Sequence, residues 1–208
     1  MISFAEFSKN NIVLFDGAMG TEIQKKVPYI GLYPEALNMT GPELIRSIHK
    51  DYSDAGAHVL TANTFGANDY KLKKSGMSTE RIISQAIQLT KEFQGCYSAL
   101  DIGPVGVLLN NDTEYHFDYF YNLFKKQVVA GENSGCDLIL IETMTDIYEA
   151  KAAIIAAKEN TKLPIICSMT LQRNGRTLTG SDVLTIVSIL ESLGIDALGL
   201  NCSFGPFE

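Results

Sequence analysis

Cys202 closes an apolar run, Ala197-Leu198-Gly199-Leu200-Asn201-Cys202, and two carboxylates stand at the ends of similar runs. Asp16 follows 12–15 and opens Asp16-Gly17-Ala18-Met19-Gly20-Thr21; Glu142 follows 138–141 and opens Glu142-Thr143-Met144. A thiol becomes a nucleophile or a metal ligand once deprotonated. A carboxylate can hold an ammonium group, and the glycines beside Asp16 let the backbone approach a small ligand. After a further run, 58–62, Asn63 and Thr64 add an amide and a hydroxyl that can hydrogen-bond a carboxylate.

Each group also has a plainer explanation. Asp-Gly is a common turn, and Asn and Thr routinely satisfy loop backbone. A half-buried Glu142 needs a partner, and Arg173 rivals a substrate ammonium for that place. Free cysteine is often a small buried hydrophobe; Cys96, near a helix end, Cys136, before a strand, and Cys167, inside one, read as packing residues. The four cysteines contain no C-x-x-C pair, which argues against a disulfide framework or a zinc site on spacing alone. His49 within a helix, His58 at the far end of its strand and His116 at a helix start share no metal spacing with Cys202.

The elements that must position these groups alternate. Apolar runs at 12–15, 58–62, 99–102, 138–141, 164–169 and 197–200 read as buried parallel strands. Between them lie stripes of helical period: Leu44, Ile48, Tyr52 and Ala55; Ile83, Ala86, Ile87 and Phe93; Phe117, Phe120, Phe124 and Val128; Ile147, Ala150, Ile154 and Ala157; Val183, Ile186, Val187 and Leu190. Thr40-Gly41-Pro42-Glu43 has capping-box spacing, Thr145 and Asp146 can cap the helix that follows them, Ser181-Asp182 can cap the last helix, and Gly56, Gly135 and Gly194 sit where helices stop before strands.

Six strands in strict alternation with helices predict an α/β fold with a parallel sheet, either doubly wound or a (β/α)8 barrel. No G-x-G-x-x-G follows the first strand. Polar residues recur at the strand ends instead (Asp16, Asn63, Asp101, Glu142, Thr170 and Asn201), which favours a ring of groups at one mouth of a barrel. A complete barrel takes about 250 residues, so 208 residues predict an incomplete one of about six βα units, with open edges able to self-associate.

The ordered set Asp16 to Thr21, Pro34 to Asn38, Asn63 to Ala67, Asp101 to Gly106, Glu142 to Met144, Arg176 to Gly180 and Gly199 to Ser203 resembles the homocysteine S-methyltransferase family, on the side of the N-terminal homocysteine-binding domain of cobalamin-dependent methionine synthases. The resemblance covers the chain from end to end. It implies a TIM-type barrel over residues 1–208 lacking its last two βα units, and zinc-dependent methyl transfer to the homocysteine thiol. Cys202 matches the first of three zinc cysteines; the other two belong to a Gly-Gly-Cys-Cys-Gly stretch that these 208 residues do not contain, so the fragment by itself is expected to be inactive. Asp16 and Glu142 match residues that hold the substrate ammonium, Gly17 and Thr64 match positions near its carboxylate, and Asn201 belongs to the same substrate-binding set. Cobalamin and methyltetrahydrofolate are implied on other domains of a longer methionine synthase. Betaine- or S-methylmethionine-dependent relatives and a non-catalytic short binder of a thiol or amino acid are the rival readings.

Composition narrows the partners. The chain is 46% hydrophobic and 20% charged, enough for a sizeable core, and its net charge of −7 argues against a nucleic-acid surface. Lys71, Lys73 and Lys74 read as a solvated face. No apolar run nears the roughly 18 residues of a membrane helix, and the N-terminus lacks a secretory pattern. A cytoplasmic enzyme is the expectation.

Overall fold

The structure is a computed structural model that describes residues 2–27, 33–110 and 112–204. In chain order it contains α1 (Phe4–Ser8), α2 (Met19–Lys26), a 3-10 turn (Pro34–Ala36), α3 (Leu37–Thr40), α4 (Pro42–Asp54), β1 (Val59–Thr61), α5 (Asp69–Leu72), α6 (Thr79–Lys91) and β2 (Tyr97–Ile102). It continues with α7 (Phe117–Ser134), β3 (Leu138–Met144), α8 (Ile147–Asn160), β4 (Ile165–Met169), α9 (Val183–Ser192) and β5 (Ala197–Leu200). All four strand pairings are parallel and the spatial order is β1-β2-β3-β4-β5. A doubly wound sheet reverses its order at a switch point; this one never does. Each crossover returns to the next strand along, as in a barrel, and the arc is not closed: the fold is an incomplete TIM-type barrel.

Strand periodicity divides the side chains between two cores. Leu100, Ile102, Ile139, Ile141, Cys167 and Met169 pack outward against α6, α7 and α8. Val59, Tyr97, Ala99, Leu138 and Leu140 point the other way, into the barrel, where Phe4 of α1 plugs the end remote from the loops that follow the strands. Successive strand residues alternate faces. The inward series therefore run Val59-Thr61, Ala99-Asp101, Leu140-Glu142 and Ile166-Ser168, apolar deep in the barrel and polar at the carboxyl ends.

Helix ends follow local chemistry. Ser78, Asp146 and Asp182 cap α6, α8 and α9 by accepting the N–H of Arg81, Tyr148 and Thr185. Gly135, at φ 85°, closes α7 in the left-handed conformation that glycine adopts without a Cβ penalty. The capping box expected at Thr40 does not form. Gly41 occupies the cap, Pro42 begins α4, and the Thr40 hydroxyl donates back to Ala36 O. The buried face of α4 is Ile45, Ile48 and His49, one position round from the expected stripe.

The segment 12–15 departs most from expectation. Instead of a full strand it makes one parallel bridge, Phe15 to Val59. The His58 imidazole accepts the Leu14 N–H at 3.0 Å, and Leu14 O receives both the His58 and the Val59 N–H. A side chain has taken a donor that a regular ladder would use. Ile12 is 86% exposed and Leu14 52%.

Candidate functional site

The polar ends of the inward series converge on a cleft of about 490 Å³, lined by Asp16, Gly17, Thr61, Asp101, Glu142 and Ser168, with Asn201 and Cys202 closing one side. Carboxyl ends of parallel strands are where barrel enzymes place their chemistry. Of the residues singled out in the sequence, Asp16, Gly17, Glu142, Asn201 and Cys202 meet there; Thr64 does not line the cleft.

Asp16 is fixed by Thr61, whose N–H and hydroxyl donate to its two oxygens at 2.8 and 2.5 Å. Burial pushes its pKa up to about 6; the Thr61 hydrogen bonds oppose the rise and the Glu142 charge adds to it. Gly17 has a packing reason beside any ligand approach. A Cβ there would lie 2.7 Å from the Tyr52 hydroxyl, which donates to Ala18 O and braces the loop.

Glu142 and Cys202 are joined through Asn201. The Asn201 side-chain N–H group donates to Glu142 Oε2 at 3.1 Å and Thr143 Oγ1 at 2.8 Å, and lies 3.8 Å from Cys202 Sγ. Its oxygen accepts the Thr143 N–H at 3.0 Å and the Ser168 hydroxyl at 2.9 Å. Thr143 and Cys202 hold φ of 59° and 48°, a left-handed conformation that is unfavourable for side chains other than glycine, most of all β-branched ones. Between Ile141 and Met144 the β3–β4 register shifts, a bulge of the kind that re-aims side chains beside active sites. Arg173, the rival partner for Glu142, instead lays its guanidinium over the Phe204 ring. Burial raises the pKa of Glu142. Residues 205–208, which follow this segment, lie outside the described residues.

Asn63 and Thr64 serve the scaffold. Asn63 donates to Pro34 O, and its own carbonyl accepts from Asn38. The buried Thr64 hydroxyl donates to Asp101 O at 2.8 Å and accepts the Asp101 N–H at 3.1 Å. Asp101 itself lines the cleft, a role its strand-end position alone does not distinguish from the others; its two-residue spacing from the inward Ala99 is the signal that places it there. Burial first, then the Glu142 and Asp16 charges, hold its pKa well above the usual carboxylate range. Lys71 differs from the solvated face expected for it: the side chain is partly buried with its ammonium 5.2 Å from the Phe65 ring centroid, whereas Lys73 and Lys74 are exposed.

The described residues do not make a zinc site. Cys202 is the one cysteine at the cleft; Cys167 faces the helices, Cys136 lies in the outer core and Cys96 bonds Ala57 O and Ser53. Among the described residues no three His, Cys, Asp or Glu side chains stand close enough to share a metal ion, and a protein zinc site takes three or four such ligands. No helix among the described residues is long and apolar enough to cross a membrane.

Known proteins share the fold and the sequence pattern of this chain. A methionine synthase from Mycobacterium tuberculosis is 29% identical over 220 residues, covering 95% of this chain but 18% of that protein. A homocysteine S-methyltransferase from Escherichia coli is 26% identical over 221 residues, covering 95% of this chain and 71% of that one. The chain thus spans less than a fifth of the methionine synthase. The crystal structure of the Escherichia coli homocysteine methyltransferase MmuM, metallated form, has the same fold, with a TM-score of 0.84 and 23% identity over 96% of this chain and 77% of that one. Residues 13–208 match the homocysteine S-methyltransferase pattern, a span that holds all five strands and every wall of the cleft, and the chain belongs to that family.

Proposed function

We propose that the cleft binds homocysteine and presents its sulfur for methylation to methionine, in an enzyme of the methionine synthase type. The observation that carries this reading is the shared cleft, in which Asp16, Asp101 and Glu142 stand together with the Asn201-Cys202 pair. Asp16 and Glu142 hold the ammonium, Gly17 backbone borders the carboxylate, and Asn201 fixes Glu142 in place. Thr64 contributes through the backbone it grips. The sulfur, the nucleophile in methyl transfer, lies toward Cys202. Zinc, when bound, supplies the acidity that keeps such a sulfur deprotonated at neutral pH. Among the described residues Cys202 is the one cysteine at the cleft that would face it, and its other ligands would have to come from elsewhere.

On this reading residues 1–208 are a homocysteine-binding barrel domain without its last two βα units. It works in the cytoplasm beside domains that carry cobalamin and methyltetrahydrofolate. The ordering of its motifs, and relatives that include methionine synthases, support that assignment over betaine or S-methylmethionine as donor.

Exchange of Glu142 for Gln keeps the shape and removes the charge. Homocysteine binding should weaken by about 1.5–3 kcal/mol, the worth of a charged hydrogen bond, while 4-mercaptobutanoate, which lacks the amine, should bind as before. Calorimetric titration of both thiols decides: equal losses would make Glu142 a folding residue and remove the main support for the assignment.

The 208-residue chain should also self-associate. β5 has no neighbour on its outer side among the described residues. Leu184 is 79% exposed and Leu200 56%, and Val183, Ile186 and Leu198 line an apolar groove beside them. Open edges and apolar patches of this kind drive association. Light scattering should show oligomers that disappear when two further βα units of the family are appended. A monomer with equally cooperative unfolding at both lengths would show that closure is unnecessary.

A further inference from the structure

Asp101 is the member of the acidic cleft that its own chain leaves without an adequate partner. The residue is 6% exposed, and Oδ1 is enclosed with no hydrogen-bond partner. Asp16, by contrast, is answered by Thr61, and Glu142 by Asn201. The position is not accidental looseness. The Thr64 hydroxyl holds both the N–H and the C=O of Asp101, so the carboxyl is fixed in the wall of the cleft. A buried carboxyl without a partner destabilises a fold, and groups of that kind concentrate at functional sites.

The surroundings favour a cation. Asp16 and Glu142 share the cleft with Asp101, and Glu35 and Lys71 also act on it; of these four groups Lys71 alone is positive. Glu35 already accepts the Gly66 N–H at 2.6 Å. A metal ion draws its donors to about 2.0–2.6 Å, and among the described residues no three such groups approach that closely. An ammonium needs a wider cup, with acceptors at about 2.8–3.0 Å, and a primary one carries three N–H donors. The cleft offers three carboxylates.

We propose that Asp101 is a third ligand-binding carboxylate, which with Asp16 and Glu142 forms a cup accepting one hydrogen bond from each N–H of a primary ammonium, and so restricts the site to amino acids with a free, unmethylated amine. The proposal rests on the homocysteine reading and extends it to a specificity rule. Asp101 touches the ligand; Thr64 is a positioning residue that acts through the Asp101 backbone.

The test is calorimetric titration of the protein and its Asp101→Asn and Asp101→Ser variants with L-homocysteine, N-methyl-L-homocysteine, 4-mercaptobutanoate and L-2-aminobutanoate, with thermal unfolding of each unliganded protein alongside. Both variants should bind L-homocysteine about 10- to 100-fold more weakly and 4-mercaptobutanoate unchanged. The preference of the native protein for the primary over the N-methylated amine should shrink. The unliganded variants should melt higher, by about 3 °C, because a buried unpartnered carboxyl is gone; a purely structural Asp101 would lower the melting temperature instead. Thr64→Val should weaken homocysteine binding and Thr64→Ser should restore it.

Equal losses for the amine-bearing and amine-free thiols, or unchanged binding of homocysteine, would overturn the proposal while leaving the homocysteine reading intact. If L-2-aminobutanoate binds as tightly as L-homocysteine and is weakened in Asp101→Asn, the ammonium cup stands and the thiol reading falls. If the native protein binds no amine, both fall.

Discussion

Asn201→Ala is expected to cost about 2 kcal/mol of stability and to abolish selective binding of homocysteine. The loss leaves the Thr143 N–H and the Ser168 hydroxyl without their shared acceptor and Glu142 without its donor. Each abandoned partner costs about 1 kcal/mol, the low end of the range for a lost partner, because all three bonds are only part-buried. Part is recovered because Thr143 is freed to leave its left-handed conformation, a strain of order 1–3 kcal/mol. Asn201→Asp separates the two roles. It keeps the acceptor for Thr143 and Ser168 but turns a carboxylate toward Glu142, so it should fold better than Asn201→Ala and still fail to hold Glu142 in place. Urea unfolding with homocysteine titration measures both. A change in stability within about 0.5 kcal/mol for Asn201→Ala, the range of an ordinary surface exchange, would remove Asn201 from the centre of the site.

Acid should weaken the fold through His49. This side chain is fully buried in α4, neither ring nitrogen has a partner, and the Phe93 ring lies edge-on at 6.2 Å. Burial lowers its pKa from 6.5 to about 4, against the pull of Glu92, which is itself engaged by Arg46. Between pH 6.5 and about 4 the unfolded chain binds a proton that the folded chain refuses. Stability is therefore complete above pH 6.5 and is lost as the pH falls through that window, by about 3 kcal/mol in all. Four buried carboxyls act in the opposite direction, Asp101 and Glu142 among them. Asp16, at about 6, and Glu149, which accepts the Val105 N–H and is pushed by burial to about 7, gain protons more readily when folded, so acidification relieves their cost. The His49 contribution is isolated by His49→Leu. The difference in unfolding free energy between native and variant proteins should move in favour of the variant by about 3 kcal/mol from pH 7 to pH 4. Parallel pH profiles would show that His49 is hydrated or partnered in solution.

Much of this protein was legible from residue order. The five principal helices, with their caps at Asp146 and Asp182, arise from 3.6-residue periodicity and local hydrogen bonding. Five of the six strands follow from short apolar runs, and the run at 197–200 is reproduced to the residue. Placement of Asp16, Glu142, Asn201 and Cys202 at strand ends put them at one mouth as soon as the sheet was parallel, because every strand of such a sheet ends on the same side.

Other features depend on partners remote in sequence. The choice between a doubly wound sheet and a barrel lies in the spatial order of strands, and alternation alone is silent about it. The run at 12–15 has the composition of a strand, yet the His58 imidazole, 44 residues away, takes the N–H its ladder required. Lys71 lies in a lysine cluster but folds its stem inward between Gly66 and Gly106, toward the Phe65 ring. Thr64 carries a hydroxyl suited to a ligand and spends it on the backbone of Asp101. Sequence therefore determined which groups reach the mouth of the barrel, since strand ends and face parity are local properties. Which of those groups are satisfied, and which are left for a ligand, was decided by tertiary packing, because a hydrogen-bond partner can arrive from any strand that folding brings alongside.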